Sequence, residues 1–127
     1  MQWARKRRLQ KHVDKLLTEH RIKATVKDGR GHANVKKRTV VIPPIMEEMD
    51  YFVSLHEIGH IVNGLGGLRL EREGKAWTWA YANSTIDPHY STRQRVCSLL
   101  VRYYFRAQKN KWEIPEDGDF WDNMIWW

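Results

Sequence analysis

The run SLHEIGHIVNGLGG, Ser54 to Gly67, constrains this chain more than any other stretch. Glycines at 64, 66 and 67 end whatever precedes them, because helix termini favour residues free to adopt positive φ. Upstream, Pro43 and Pro44 stop the β-branched run KRTVVI. Between these two stops, helical pattern runs from about Ile45 to Asn63, with Leu55, Ile58 and Val62 placed to pack inward. On such a helix His56 and His60 share one face a turn apart, so both imidazoles can reach one cation. Glu57 is rotated by about 100° from His56, which puts it beside that cation without making it a ligand. Zinc-assisted hydrolysis needs this pattern: two neutral nitrogen ligands and a nearby carboxylate to take a proton from the attacking water. HExxH is short enough to arise by chance, so its surroundings have to decide.

Gly59 is the smallest possible neighbour to the second histidine. In a helix interior it costs about 1 kcal/mol relative to alanine, which suggests the close approach of another element. A catalytic zinc also wants a third protein ligand and one open position. A helix that ends in a glycine turn and is followed at once by a second helix, over about Leu68 to Ala82, brings that second helix back alongside the first. It offers Glu71 and Glu73, and periodicity separates them. Glu73 shares a face with Ala76, Trp77 and Ala80, which points inward. Glu71 shares a face with Gly74, Lys75 and Thr78, which reads as solvent. A carboxylate on an apolar face is costly to bury unless something cationic meets it. Zinc would meet it, and so would an arginine or lysine; the upstream histidine pair favours the metal.

The rest of the chain reads as helix, short strands, then helices, hence α+β. Residues 3 to 20 form a first helix with an apolar stripe of Leu9, Val13, Leu16 and Leu17. RIKATVK alternates Ile22, Ala24 and Val26 as a half-buried strand would, and DGRGHANV is turn-rich. Ser91 with Gln94 resembles a capping box for a last helix through about Ala107, with Val96, Leu99, Leu100 and Tyr103 as its apolar face. Tyr103, Tyr104 and Phe105 read as packing for that helix, Trp77 as core, and Cys97 as a small buried residue. The tail from Trp112 is acidic and aromatic. Its Trp126 and Trp127 suit a groove or self-association equally.

At 127 residues the chain fits a single domain, 1–127. With 42% apolar and 29% charged residues it is globular rather than disordered. No apolar run approaches the roughly 18 residues of a membrane span, and the basic N-terminus lacks the apolar stretch of a secretion signal. A single cysteine excludes an internal disulfide framework and a cysteine zinc cluster, and the expected compartment is the reducing cytoplasm. The net charge of +7 admits a nucleic-acid partner. Its densest cluster, Arg5 to Arg8 with Lys11, sits opposite the first helix's apolar stripe and reads instead as a solvated face.

LHEIGHIV followed by EREGKAWTWA resembles the zincin metallopeptidases of the ImmA/IrrE type, especially small phage and mobile-element members. In that family HExxH is followed on the next helix by a pattern close to E-x-x-A-x-x-[FW]-A, which Glu73, Ala76, Trp79 and Ala80 match. RTVVIPP resembles the strand before the active-site helix, so the likeness covers about residues 38 to 82. The resemblance implies a zincin-like α+β fold. It also implies Zn2+ held by His56, His60 and Glu73, Glu57 as general base, and a protein substrate such as a helix-turn-helix repressor. Trp77 departs from the family, whose members often carry Asn or Asp there. Peptide hydrolysis also needs a second donor for the developing oxyanion. His89, Tyr90 and Tyr81 are candidates, each with an ordinary surface or packing role as the alternative. A substrate strand would pair with the edge of KRTVVI. His12, His20 and His32 lack partners at metal spacing and read as surface residues. The competing expectation is a basic DNA-binding or interaction module with a non-catalytic zinc site, which leaves Glu57 without a purpose.

Overall fold

The computed structural model describes residues 1–114. Of the acidic tail from Trp112, residues 115–127, with Trp121, Trp126 and Trp127, lie outside the described residues. The architecture is α+β, four helices and one small mixed sheet, in the order α1 (Trp3–Glu19), β1 (Lys23–Val26), β2 (His32–Asn34), β3 (Thr39–Ile42), α2 (Glu48–Asn63), α3 (Arg69–Asn83) and α4 (Tyr90–Lys109). No helix among the described residues is long and apolar enough to cross a membrane.

α1 buries Leu9, Val13 and Leu16 and exposes Arg7, Arg8, Lys11 and Lys15, as its periodicity requires, while Arg5 and Lys6, expected on the solvated face, are half-buried. The sheet order is β1-β3-β2. β1 runs parallel to β3, with Val26 opposite Ile42, and β2 runs antiparallel to it, with His32 opposite Val41. β3 is therefore central and turns Val40 and Ile42 into the core against α2. Its centrality removes the free edge expected of KRTVVI; both sides are already hydrogen-bonded. β1, expected to be half-buried, is exposed along its whole length, and only Ile22 just before it reaches the core. An edge strand with no helix over its face has nothing to bury against.

α2 is the axis of the fold, with Tyr51, Phe52, Leu55 and Ile58 fully buried. It starts at Glu48 rather than Ile45, because Glu47 and Asp50 cap each other's backbone there. It stops at Gly64, whose φ of +74° suits a residue without a Cβ. Val62 points outward, at 36% exposure, beyond the buried arc. Glu48 ties three elements together. It accepts from Arg5 (3.2 Å), from the backbone N–H of His89 (2.8 Å) and from the Thr92 hydroxyl (2.5 Å). Tyr51 does the same through its hydroxyl, meeting His12 Nδ1 at 2.7 Å and the Thr85 N–H at 3.1 Å. His12 is thus a partnered residue, and burial lowers its pKa.

α4 begins two residues earlier than its sequence suggests, with His89 rather than Ser91 as its cap. The His89 ring accepts from the Ser91 N–H at 3.1 Å, while Gln94 donates to the Tyr90 hydroxyl instead of closing a box. Leu99 and Phe105 are exposed, at 38% and 60%, and Cys97 is half-buried. The helix buries only the narrow stripe of Thr92, Val96, Leu100 and Ala107.

Candidate metal centre

Gly59 brings the two central helices together. A Cβ at this position would stand 2.9 Å from the Ala76 carbonyl oxygen and 3.3 Å from both Ala76 Cα and Trp79 Cε3. Only a bare backbone lets α3 lie this close to α2. The contact sets the height of α3 so that Glu73, three residues before Ala76, comes level with the two histidines.

His56 and His60 stand edge to face with ring centroids 4.6 Å apart. Glu73 faces both through its two oxygens: Oε1 lies 3.4 Å from His56 Nε2, and Oε2 lies 2.5 Å from His60 Nε2. Glu57 reaches His56 from the other ring nitrogen, Nδ1, at 3.0 Å. A nitrogen of each histidine and an oxygen of Glu57 lie within 4.8 Å of one another. Proximity alone would make Glu57 a rival third ligand. Orientation favours Glu73, because its oxygens meet the Nε2 atoms of both rings, whereas Glu57 touches only the far nitrogen of one.

Trp77, read from the sequence simply as core, is 3% exposed and has a second role. Its indole stacks on the His56 imidazole at 4.1 Å and 16°, holding the ring plane where Nε2 looks toward Glu73. The sequence signal was present, since Trp77 sits four residues after Glu73 on the same helix face. Gly74, placed on the solvent face with Glu71, is buried, while Lys75 and Thr78 on that face are exposed as expected.

The electrostatics of the cluster favours positive charge between its carboxylates. Burial pulls the His56 pKa down, but hydrogen bonds and charge from Glu57 and Glu73 outweigh it and hold the value up at about 9. Burial pushes Glu73 up, yet the two imidazoles hold it well below the usual carboxylate range. Two nearly buried carboxylates are thus demanding positive charge from the histidines. Glu57 Oε2 is buried without a hydrogen-bond partner among the described residues, and so is His56 Nε2, whose 3.4 Å approach to Glu73 Oε1 is a charge contact that lacks hydrogen-bond geometry. Buried polar atoms left this way need an explanation. A dication among two imidazoles and two carboxylates supplies one, and the donor set of two nitrogens and a carboxylate is that of zinc.

The cluster forms the floor of an open cleft of about 860 Å³. One wall is the turn Gly29 to Gly31 with β2. Gly31 fits closely there, and a Cβ on it would meet Val53 at 3.1 Å and Glu57 Cγ at 3.2 Å. The opposite wall is built from α3 and α4 and carries Tyr103. None of the three oxyanion candidates reaches the cleft. His89 caps α4, Tyr90 is 70% exposed, and Tyr81 packs edge-on to Phe52 with its pKa raised by burial. Tyr103 lines the cleft instead, half-buried, its pKa raised by burial and by the charge of Glu73. His32 lies on the cleft rim, and His20 stands edge-on to Trp79.

Compared with models of protein families, with curated proteins and with solved structures, the chain matches none of them.

Proposed function

We propose that this chain is a zinc-dependent metallopeptidase. The observation that carries this reading is the convergence of His56, His60 and Glu73, from two helices locked at Gly59, beneath an open cleft with Glu57 alongside. His56, His60 and Glu73 would hold Zn2+, which when bound polarises the scissile carbonyl and acidifies water. Glu57 is the general base: it accepts the water's proton and returns it to the leaving amine. Trp77 keeps His56 oriented. Tyr103, protonated and facing the cleft, is assigned to donate to the developing oxyanion, in place of His89, Tyr90 and Tyr81. The exposed strand edge beside the cleft is that of β2, so an extended substrate would pair there rather than with β3.

A regulatory protein such as a helix-turn-helix repressor is the proposed substrate, following the ImmA/IrrE-type motif resemblance, with the cytoplasm as compartment. The deciding test combines metal analysis with variants. The purified protein should carry about one zinc per chain. Glu57→Gln should retain the metal and lose cleavage of a candidate repressor. Glu73→Ala should lose most of the metal, and Glu71→Ala should keep it. Zinc retained in Glu73→Ala but lost in Glu71→Ala would exchange the two assignments, and full cleavage by Glu57→Gln would end its role as base.

A further inference from the structure

Six arginines line the cleft above the histidine–glutamate floor: Arg30 on one wall, and Arg69, Arg72, Arg95, Arg102 and Arg106 on the other. Their placement is regular. Arg95, Leu99, Arg102, Tyr103 and Arg106 recur at offsets of four, seven, eight and eleven, which is one face of α4 turned to the cleft. The acids of the same cleft are engaged elsewhere. Asp50 accepts from the backbone N–H groups of Met46 and Glu47, and Glu57 and Glu73 face the histidines.

Most of the arginines are held loosely. Arg95 pairs with Glu47 at 2.8 Å, but both side chains are more than half exposed, so a competing carboxylate displaces that contact at little cost. Arg69 and Arg106 lie over the rings of Trp112 and Tyr103, at 4.5 and 5.8 Å from the ring centroids. Arg72 donates to the Leu65 carbonyl. Arg30 and Arg102 are exposed and form no ion pair among the described residues.

We infer that this cleft selects an acidic polypeptide segment, with arginines reading Asp and Glu side chains on both sides of the reacting bond. The inference deepens the peptidase reading and rests on it for the cleft's purpose. A guanidinium fork matches carboxylate and phosphate alike at short range, so the choice between them falls to the rest of the lining. Val35, Val53, Leu65 and Leu99 line the same cleft, which suits a chain carrying both acidic and apolar side chains. The aliphatic side chains that line the cleft beside the arginines have no counterpart in a phosphate backbone, which makes nucleic acid the poorer occupant.

The test uses the full chain carrying Glu57→Gln, with and without zinc. Fluorescence anisotropy follows a labelled, Asp/Glu-rich peptide of about twelve residues and its Asn/Gln counterpart. The acidic peptide is expected to bind at least about tenfold tighter, as several weak ion pairs together would give, and to weaken as salt rises. The double variant Arg30→Glu/Arg102→Glu, at exposed positions where folding is little affected, should abolish the preference, and Arg102→Lys, which keeps the charge without the fork, should keep only part of it. Equal binding of the two peptides would overturn the inference. So would an unchanged preference in the double variant, or a DNA duplex that binds tighter than the acidic peptide at the same salt. Because binding is read without turnover, a failure here is separable from a failure of the peptidase reading: cleavage of neutral peptides as fast as acidic ones would leave the enzyme standing and remove its selectivity.

Discussion

Replacing Gly59 with alanine tests the joint on which the site is built. Helix propensity alone favours the change by about 1 kcal/mol, since glycine is the poorest ordinary residue in a helix interior. The packing opposes it. The new Cβ would fall 2.9 Å from a backbone oxygen of Ala76, with Ala76 Cα and Trp79 Cε3 both at 3.3 Å. No flexible side chain can yield there, so α3 must move as a unit. Overpacking of this kind costs about 1–3 kcal/mol, and contact with backbone belongs in the upper half of that range. The expected net is a destabilisation of about 1–2 kcal/mol, or a fall of roughly 3–8 °C in melting temperature for a chain of this size. The same displacement carries Glu73 away from His60, so zinc affinity should fall by about tenfold or more, given how little ligand distances tolerate. Thermal unfolding in chelator reads the first effect, and competition with a zinc-binding dye reads the second. Gly66→Ala is the control, because a Cβ there meets nothing within 4 Å; its stability should change by less than about 0.5 kcal/mol. A Gly59→Ala protein as stable as the parent would refute the reasoning.

Glu48→Ala removes a carboxylate that accepts from Arg5, the His89 N–H and Thr92, and should cost about 2 kcal/mol in urea unfolding; an unchanged midpoint would show that the hub contributes nothing. Trp77→Ala should destabilise by about 3–5 kcal/mol and weaken zinc binding through loss of the His56 stack, while Trp77→Phe should restore part of both. pH dependence in chelator follows from the two shifted groups. The His56 pKa is raised in the folded state from 6.5 to about 9, so its contribution is complete below pH 6.5 and is lost as pH rises through about 9. The Glu73 pKa is depressed from 4.5, so its contribution is complete above that pH and is lost as pH falls below it. Metal-stripped protein should therefore be most stable between about pH 4.5 and 6.5, and saturating zinc should abolish the alkaline decline, because the dication replaces the protons. A flat profile from pH 5 to 9 in chelator would contradict this coupling.

Local periodicity and spacing were enough to place the helices, the histidine pair on one face, and Glu73 rather than Glu71 on the inward face. These properties depend on 3.6 residues per turn and on where glycine and proline interrupt the chain, which neighbours in sequence determine. The choice of Gly59 as a point of close approach was legible for the same reason: a glycine inside a helix has a cost that something must offset.

What the sequence could not supply was decided by contacts between residues far apart in the chain. Whether β3 lies at an edge or at the centre depends on which strands pair, and β1 and β2 both chose it. Which side chains line the cleft depends on how α3 and α4 pack on α2, and that packing put Tyr103 in the wall and left Tyr81, Tyr90 and His89 outside it. The arginines of α4 had no meaning in the sequence by themselves; the fold gathers them with Arg30 around a common cleft. Spacing along one helix fixes which side chains share a face, and only packing between helices fixes what that face looks at.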